Sequence, residues 1–269
     1  KLFVQRSLLQ RKHKDLYHIP KLTIRIASHN IKQLRCKMNN RQKVLTPRVI
    51  VQMLFFVVVL PFLPLLISWR WDWWEAWVYA LICIAGFAIS RALAARRHPD
   101  LLAERAQFMH HENVKPWDKL LAPLVSLGGM VVPLVAGLEM QFGRSAPFNM
   151  PVKIGALIVI LAGYAWGSYA LIENRFFSGM VRIQTDRGHQ VISSGPYRWM
   201  RHPGYAGALL TYLAPPFFLD SRWALLPTLL LTVALVIRTH LEDKTLQDEL
   251  EGYRDYAKRV RYRLLPGIR

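Results

Sequence analysis

The chain has 269 residues, of which 52% are hydrophobic, nine are Trp and only 20% are charged, a composition beyond that of an ordinary water-soluble domain. Its charge is one-sided, Lys+Arg 36 against Asp+Glu 17 for a formal +19, which points to nucleic acid or to an anionic membrane face. The hydrophobic residues fall in long uninterrupted blocks that a nucleic-acid-binding domain of this size would not need, so an integral membrane protein remains.

The first segment, Lys1 to about Lys43, is basic, with Asp15 as its one acid. It contains no span and lacks the clean amphipathic period of a presequence, so residues 1–47 read as an extension outside the fold. Cys36 lies in this basic segment and Cys83 in an apolar run, which suggests neither a disulfide nor a cysteine metal site. From Val49 to Trp69 the chain reads VIVQMLFFVVVLPFLPLLISW, and about 20 apolar residues at 1.5 Å each match a hydrocarbon core of about 30 Å. Pro61 and Pro64 are expected to kink this helix. Trp71, Trp73, Trp74 and Trp77, set around Asp72 and Glu75, have the amphipathic rings of an interfacial belt. Further spans are expected from about Trp74 to Leu93, Leu120 to Met140 and Val152 to Ile172.

A polar stretch from Glu173 to Pro203 follows, dense in Arg, Gly and turn formers, and too long for an idle connection. Two shorter apolar runs, Tyr205 to Leu219 and Trp223 to Ile237, are separated by Asp220, Ser221 and Arg222. Each is short for an upright crossing, so a tilted or partly inserted hairpin is expected. In the charged tail, Leu241, Leu246, Leu250 and Tyr253 are spaced for one face of an amphipathic helix. The fold class is therefore all-α integral membrane: four transmembrane helices in residues 48–172, then a helical hairpin and amphipathic helix within a ligand-binding region, residues 173–269. Lys and Arg collect in the segment before Val49, in the two polar connections and in the tail, whereas the alternate connections hold only Arg70, Arg144 and Arg222. The positive-inside rule then puts both termini and the Glu173 to Pro203 stretch in the cytoplasm.

Searches for common sites return negatives. There is no HExxH motif, GxSxG elbow, Walker loop or glycine-rich dinucleotide fingerprint. His110, His111 and Glu112 do not make a metal site, because adjacent helical residues diverge by about 100° and no third ligand is spaced to join them. What stands out is two polar, aromatic segments flanking the hairpin: GHQVISSGPYRWMRHPGYAG from Gly188 to Gly207, and RTHLEDKTLQDELEGYRDYAKRV from Arg238 to Val260. If the hairpin returns the chain to one membrane face, they meet. Together they offer rings from Tyr197, His202, Tyr205 and Tyr253, carboxylates from Glu242 and Asp243, and guanidinium groups from Arg201 and Arg238, with Pro196, Pro203 and glycines shaping the backbone.

Gly195-Pro196-Tyr197, then Arg201-His202-Pro203 with Tyr205 and Gly207, then Glu242-Asp243 with Tyr253, Tyr256 and Arg259 form an ordered set. In it the chain resembles the isoprenylcysteine carboxyl methyltransferase and phospholipid methyltransferase superfamily of integral membrane methyltransferases. The likeness is close over the C-terminal third and loose over the hydrophobic layout from Val49 onward. One position departs: Asp243 stands where the family usually has a second glutamate. The resemblance implies S-adenosylmethionine as cofactor, bound by His202, Tyr205 and Glu242, with His189 and Gly195 to Tyr197 in the pocket wall and Arg201, Pro203, Asp243 and Tyr253 beside them.

The chemistry is coherent with this. A sulfonium with an amino-acid tail calls for aromatic faces, a carboxylate for its ammonium and a cationic donor for its carboxylate. Methyl transfer to a carboxylate, already anionic near neutral pH, needs no general base. An amine acceptor would require one, and Glu242 or His202 are the candidates. The expected substrate is lipid-linked and reaches the site through the bilayer, an isoprenylcysteine carboxylate first and an amino headgroup second, with Arg238 pairing with the substrate carboxylate. Two further readings stand beside this: an NADPH-dependent sterol-type reductase, which shares a related hairpin and RHP-type motif, and a non-catalytic scaffold for anionic lipid. The expected location is a bacterial inner membrane ahead of the endoplasmic reticulum, with the cofactor site on the cytoplasmic side. No nucleic-acid or obligate protein partner is indicated.

Overall fold

The computed structural model describes residues 55–106, 113–143, 145–264 and 267. The basic N-terminal segment, Cys36, the start of the first apolar run and the triplet His110, His111 and Glu112 lie outside the described residues. All regular structure among the described residues is helical.

The first apolar run does not wind as one regular helix. A wide turn over Phe55–Val59 and a tight one over Leu60–Phe62 precede α1, Leu63–Ser68. Pro61 and Pro64 each remove a backbone donor, so even hydrogen bonding begins only beyond them. Trp69 then closes α1 in the left-handed region. Helix α2, Trp74–Arg97, leads into the short α3, Pro99–Ala106, and then α4, Asp118–Phe142 and α5, Met150–Glu173 follow.

Helices α2, α4 and α5 are long and apolar enough to cross a membrane. Among the described residues the fourth such helix is α8, Leu225–Glu249, the second arm of the expected hairpin. The expectation of two similar short arms is thus corrected. The first arm is α6, Pro203–Leu213, extended only by the turn α7, Pro215–Phe218. Helix α8 instead runs unbroken through Arg238 into what the sequence pattern assigned to a separate amphipathic tail helix. No Gly or Pro interrupts the chain between Thr228 and Glu249, so nothing stops the helix where its composition changes from apolar to charged. After a left-handed turn at Gly252, the last helix α9, Tyr253–Arg259, carries the remaining tail.

Bulky side chains on the long helices point outward: Leu120 is 72% exposed and Leu230 63%. The interior is built of small and medium residues such as Ala76, Val132, Ala136, Ala156 and Leu235. That inversion is expected where the surroundings are apolar and close helix approach, rather than water, drives packing. Gly163 and Gly167, one turn apart on α5, meet Gly207 of α6: a Cβ on Gly207 would lie 2.6 Å from Gly167 N and 2.8 Å from Gly163 O. This contact seats α6 against α5 and so fixes where the residues at the start of α6 stand. Of the tryptophans expected in the belt, Trp71, Trp74 and Trp77 are exposed, but Trp73 is 5% exposed and belongs to the core.

At the end of the bundle formed by the α1–α2, α4–α5 and α7–α8 connections, charges are buried in closed sets. Lys153 Nζ lies 2.5 Å from both Glu75 and Asp220, and Glu139 accepts from Ser145, from Ser221 Oγ at 2.5 Å and from Trp223 N at 3.1 Å.

Candidate functional site

The opposite end carries the Glu173 to Pro203 stretch. Asn174 accepts from Phe176 N through its side chain and donates to Tyr197 Oη at 3.1 Å. Gln184 Nε2 donates to the Phe176 carbonyl at 2.7 Å. Arg182 is 4% exposed and held by Glu104 through Nε and Nη2, at 3.0 and 2.9 Å, and by Asp186. Burial opposes the charge on Arg182, but the hydrogen bonds it donates to these two carboxylates outweigh it and raise its pKa. Side-chain anchors therefore do here what regular secondary structure does elsewhere.

Against this stretch lie the start of α6, the last turns of α8 and α9. They line a cleft whose enclosed part is small, about 90 Å³, beneath an open mouth that brings the unoccupied space to about 770 Å³. The hairpin brings Tyr205 and Glu242 together, and Tyr205 Oη donates to Glu242 Oε2. His202 stacks on Tyr205 with centroids 5.8 Å apart and planes 12° from parallel. Among the described residues, Glu242 has no Lys or Arg in ion-pair contact and Tyr205 is its one hydrogen-bond donor.

Asp243, one residue on, turns about 100° around the helix and is 1% exposed. It takes Arg201 through Nε and Nη2 at 2.7 and 3.0 Å, His202 Nε2 at 3.1 Å, Tyr253 Oη at 3.1 Å and Gln247 Nε2 at 2.8 Å. This hub ties α6, α8 and α9 together. Burial pushes the Tyr253 phenol well up, reinforced by the Asp243 charge, so it stays a donor. Arg201 has no nitrogen left for a ligand, because Nη1 donates to the carbonyls of Val260 and Arg261. Burial alone would lower its pKa, and the bonds to Asp243 raise it instead.

Of the residues expected in the site, His189, Tyr197, Arg201, His202, Tyr205, Arg238, Glu242 and Tyr253 line the cleft. Gly195, Pro196, Pro203 and Asp243 stand behind it. Gly195 has a φ of +55° and sits where a Cβ would lie 2.9 Å from the Glu173 side chain, so the turn carrying Tyr197 needs glycine. Pro203 opens α6 at its first position. His189 packs on Phe176 at 4.7 Å and accepts from Gln184 N through Nδ1 at 3.3 Å, which leaves Nε2–H as a donor. Burial, then the charges of Arg182 and Arg187, lower its pKa to about 4, so the ring is neutral at pH 7.

Arg238 is 7% exposed and already paired. Asp118, at the start of α4, accepts from its Nε at 2.7 Å and Nη2 at 3.0 Å, and from Val181 N at 2.6 Å. Only Nη1 lacks a partner among the described residues, and the guanidinium lies over the Tyr205 ring at 5.4 Å. Asp118, Asn174, Gln184 and Arg182 escaped the sequence reading. Asn174, Arg182 and Gln184 fall in the Glu173 to Pro203 stretch, whose length marked it as more than a connection, and Asp118 in the polar connection before α4, but no motif spacing singles any of them out.

Fold and site together define an all-helical membrane protein with a ring-lined, carboxylate-bearing cleft at one end of its bundle. Residues 156–248 match the isoprenylcysteine carboxyl methyltransferase (ICMT) family. This part of the chain is similar to the proteins of that family. The chain is 35% identical over 60 residues to a probable protein-S-isoprenylcysteine O-methyltransferase of Oryza sativa subsp. indica, covering 22% of this chain and 31% of that protein. It is 29% identical over 151 residues to the Delta(14)-sterol reductase of Mus musculus, covering 51% and 36%. It is 36% identical over 62 residues to an uncharacterized protein of Bacillus subtilis (strain 168), covering 23% and 37%. The chain thus spans about a third of the length of these curated relatives.

Proposed function

We propose that the cleft binds S-adenosylmethionine and that the protein methylates a lipid-linked acceptor, an isoprenylcysteine carboxylate before a lipid amine. The observation that carries this is Glu242, a carboxylate in the cleft wall held by Tyr205 with no cation in ion-pair contact among the described residues, beside the stacked rings of His202 and Tyr205. A cation with an ammonium group fits that arrangement. The carboxylate meets the ammonium, and ring faces meet the positive sulfur. Bound there, the cofactor would supply an electrophilic methyl group.

The residues contribute position and charge. His202, Tyr205 and Tyr253 keep ring faces toward the cleft, and Asp243 holds two of them at fixed height by their polar atoms. His189 adds a neutral donor. Arg238, through its unengaged Nη1, offers a cation to an acceptor carboxylate. No general base is required for such an acceptor, and alignment with exclusion of water is the contribution asked of the protein.

The rival reading, an NADPH-dependent reductase, has in its favour the match to a sterol reductase over 151 residues. Against it, the arginines lining the cleft are closed on carboxylates: Arg182 on Glu104, Arg201 on Asp243 and Arg238 on Asp118. Among these arginines a dinucleotide's phosphates would find only the unengaged Nη1 of Arg238. The test is a thermal shift of the purified chain with S-adenosylhomocysteine and with NADPH, followed by transfer of labelled methyl to prenylated cysteines, lipid amines and membrane extract. A shift with S-adenosylhomocysteine alone and label in the prenylcysteine fraction is expected. A shift with NADPH and none with S-adenosylhomocysteine overturns the proposal.

A further inference from the structure

Arg201 and His202 are buried, 7% and 6% exposed, and they precede the first turn of α6, with His202 outside the helical region at φ −124° and ψ 59°. A buried backbone N–H needs an acceptor, and no helix supplies one here. The acceptors come from beyond α9. Arg201 N donates to the Tyr262 carbonyl and His202 N to that of Arg263, both at 2.9 Å. The Arg201 guanidinium adds Nη1 to the carbonyls of Val260 at 2.7 Å and Arg261 at 3.0 Å. The carbonyls of residues 260, 261, 262 and 263 thus all accept from Arg201 or His202, while the side chains of Arg261 and Tyr262 are exposed.

This strap is anchored at both ends. Before it, Tyr253 Oη donates to Asp243 at 3.1 Å and Tyr256 Oη to the Tyr197 carbonyl at 2.7 Å. After it, Leu264 packs on the main apolar core. From within it, Arg263 donates Nη1 to His240 Nδ1 at 2.9 Å and places Nε 3.3 Å from Asp243 Oδ2.

What the strap holds is the root of the ring pair. Asp243 fixes the tip of the His202 ring through Nε2, and the strap fixes the backbone from which that ring springs. The His202 carbonyl in turn accepts from Tyr205 N and Ala206 N, both at 3.1 Å, so a displacement at His202 passes directly to Tyr205, its stacking partner and the donor to Glu242. In a site that works by alignment, a misplacement of about 1 Å can cost about a hundredfold.

We infer that residues 260–263 are a positioning element of the cofactor site: their carbonyls hold Arg201 and His202, and so set the His202 and Tyr205 rings against Glu242. This rests on the proposed function and extends it to a segment that does not itself line the cleft. Because it acts through its backbone, the strap depends on the presence of the chain rather than on the exposed side chains it carries.

The test compares wild type with the chain ended at Pro266, the chain ended at Arg259, Leu264→Ala, and Arg261→Ala combined with Tyr262→Ala. S-adenosylhomocysteine affinity, ligand-free amide hydrogen exchange at Arg201 and His202, and the unfolding midpoint in detergent are measured for each. Ending the chain at Arg259 is expected to weaken S-adenosylhomocysteine at least about tenfold and to speed exchange at both amides at least about a hundredfold. Ending it at Pro266 is expected to change affinity by less than about twofold. Leu264→Ala, which loosens the far anchor and keeps every carbonyl, is expected to fall between, and it carries the test if the chain ended at Arg259 does not fold. The double variant is expected to keep both amides protected.

Affinity within about twofold of wild type in the folded forms among the chain ended at Arg259 and Leu264→Ala overturns the inference. So does rapid exchange at Arg201 and His202 in wild type, or loss of their protection in the double variant, which would assign the hold to side chains. A loss of affinity no greater than that in Lys153→Met, which is destabilised from the opposite end of the bundle, would mark a merely structural tail and overturns it too. Exchange at the two amides that depends on the strap, in a protein that fails to bind S-adenosylhomocysteine, leaves the hold on Arg201 and His202 standing and removes the methyltransferase reading alone.

Discussion

Both ends of the helical bundle bury charge, and they do it in different ways. At the end holding the α7–α8 turn, Lys153 sits between Glu75 and Asp220, and Glu139 is filled by Ser145, Ser221 and Trp223 N. Each charge there closes on a neighbour, and the set latches connections between helices. At the cleft end, Asp243, Asp118 and Glu104 are likewise closed, but Glu242 has no ion-pair partner among the described residues. Buried ion pairs therefore occur at both ends, and the acid without one, Glu242, lies in the cleft wall.

The largest effect expected from breaking this contrast is at the closed end. Lys153→Met strands two carboxylates and should destabilise the fold by about 3–5 kcal/mol, seen as a lower unfolding midpoint in detergent, while S-adenosylhomocysteine affinity of the folded fraction stays as in wild type. At the cleft end, Glu242→Gln should do the reverse. Loss of a charge-assisted bond predicts about a hundredfold weaker binding of S-adenosylhomocysteine, roughly 2.7 kcal/mol, with little change in melting temperature. If Lys153→Met also abolished binding in the folded fraction, the two ends would have to be coupled.

A smaller effect is expected between them. Gly207→Ala drives a methyl into backbone atoms of Gly163 and Gly167 and should cost about 1–3 kcal/mol, with cofactor affinity falling as α6 shifts. The smallest is a pH effect. His189 is lowered from 6.5 to about 4 in the folded protein, so between those values the unfolded chain binds the extra proton and stability falls as pH falls through the window. His189→Gln should flatten that part of the stability profile. A profile identical to wild type between pH 6.5 and 4 would remove His189 as its source.

Much of the architecture was legible in the residues themselves. Three spans, at α2, α4 and α5, follow from apolar length against bilayer thickness, and the meeting of the Gly188 to Gly207 segment with the start of the tail follows from a turn-back that the chain does make. The misjudged element was the hairpin. Hydropathy falls at Arg238, but helices end at caps, Gly or Pro rather than at a change of polarity, so α8 continues for three more turns. Trp73 likewise reads as an interfacial ring by composition, although its position before α2 turns it inward.

What the sequence alone determined is the inventory: an all-helical membrane chain, and the rings, acids and arginines gathered by two segments on either side of a turn. Which of these groups are open to a ligand was decided by tertiary contacts. Glu242 and Asp243 are neighbours of one charge, yet one faces the cleft and the other is consumed by Arg201, His202, Tyr253 and Gln247. Arg238 is closed by Asp118, 120 residues away. The physical reason is that a buried charge is available only when no opposite charge reaches it, and in a folded chain those partners come from distant helices that no local pattern announces.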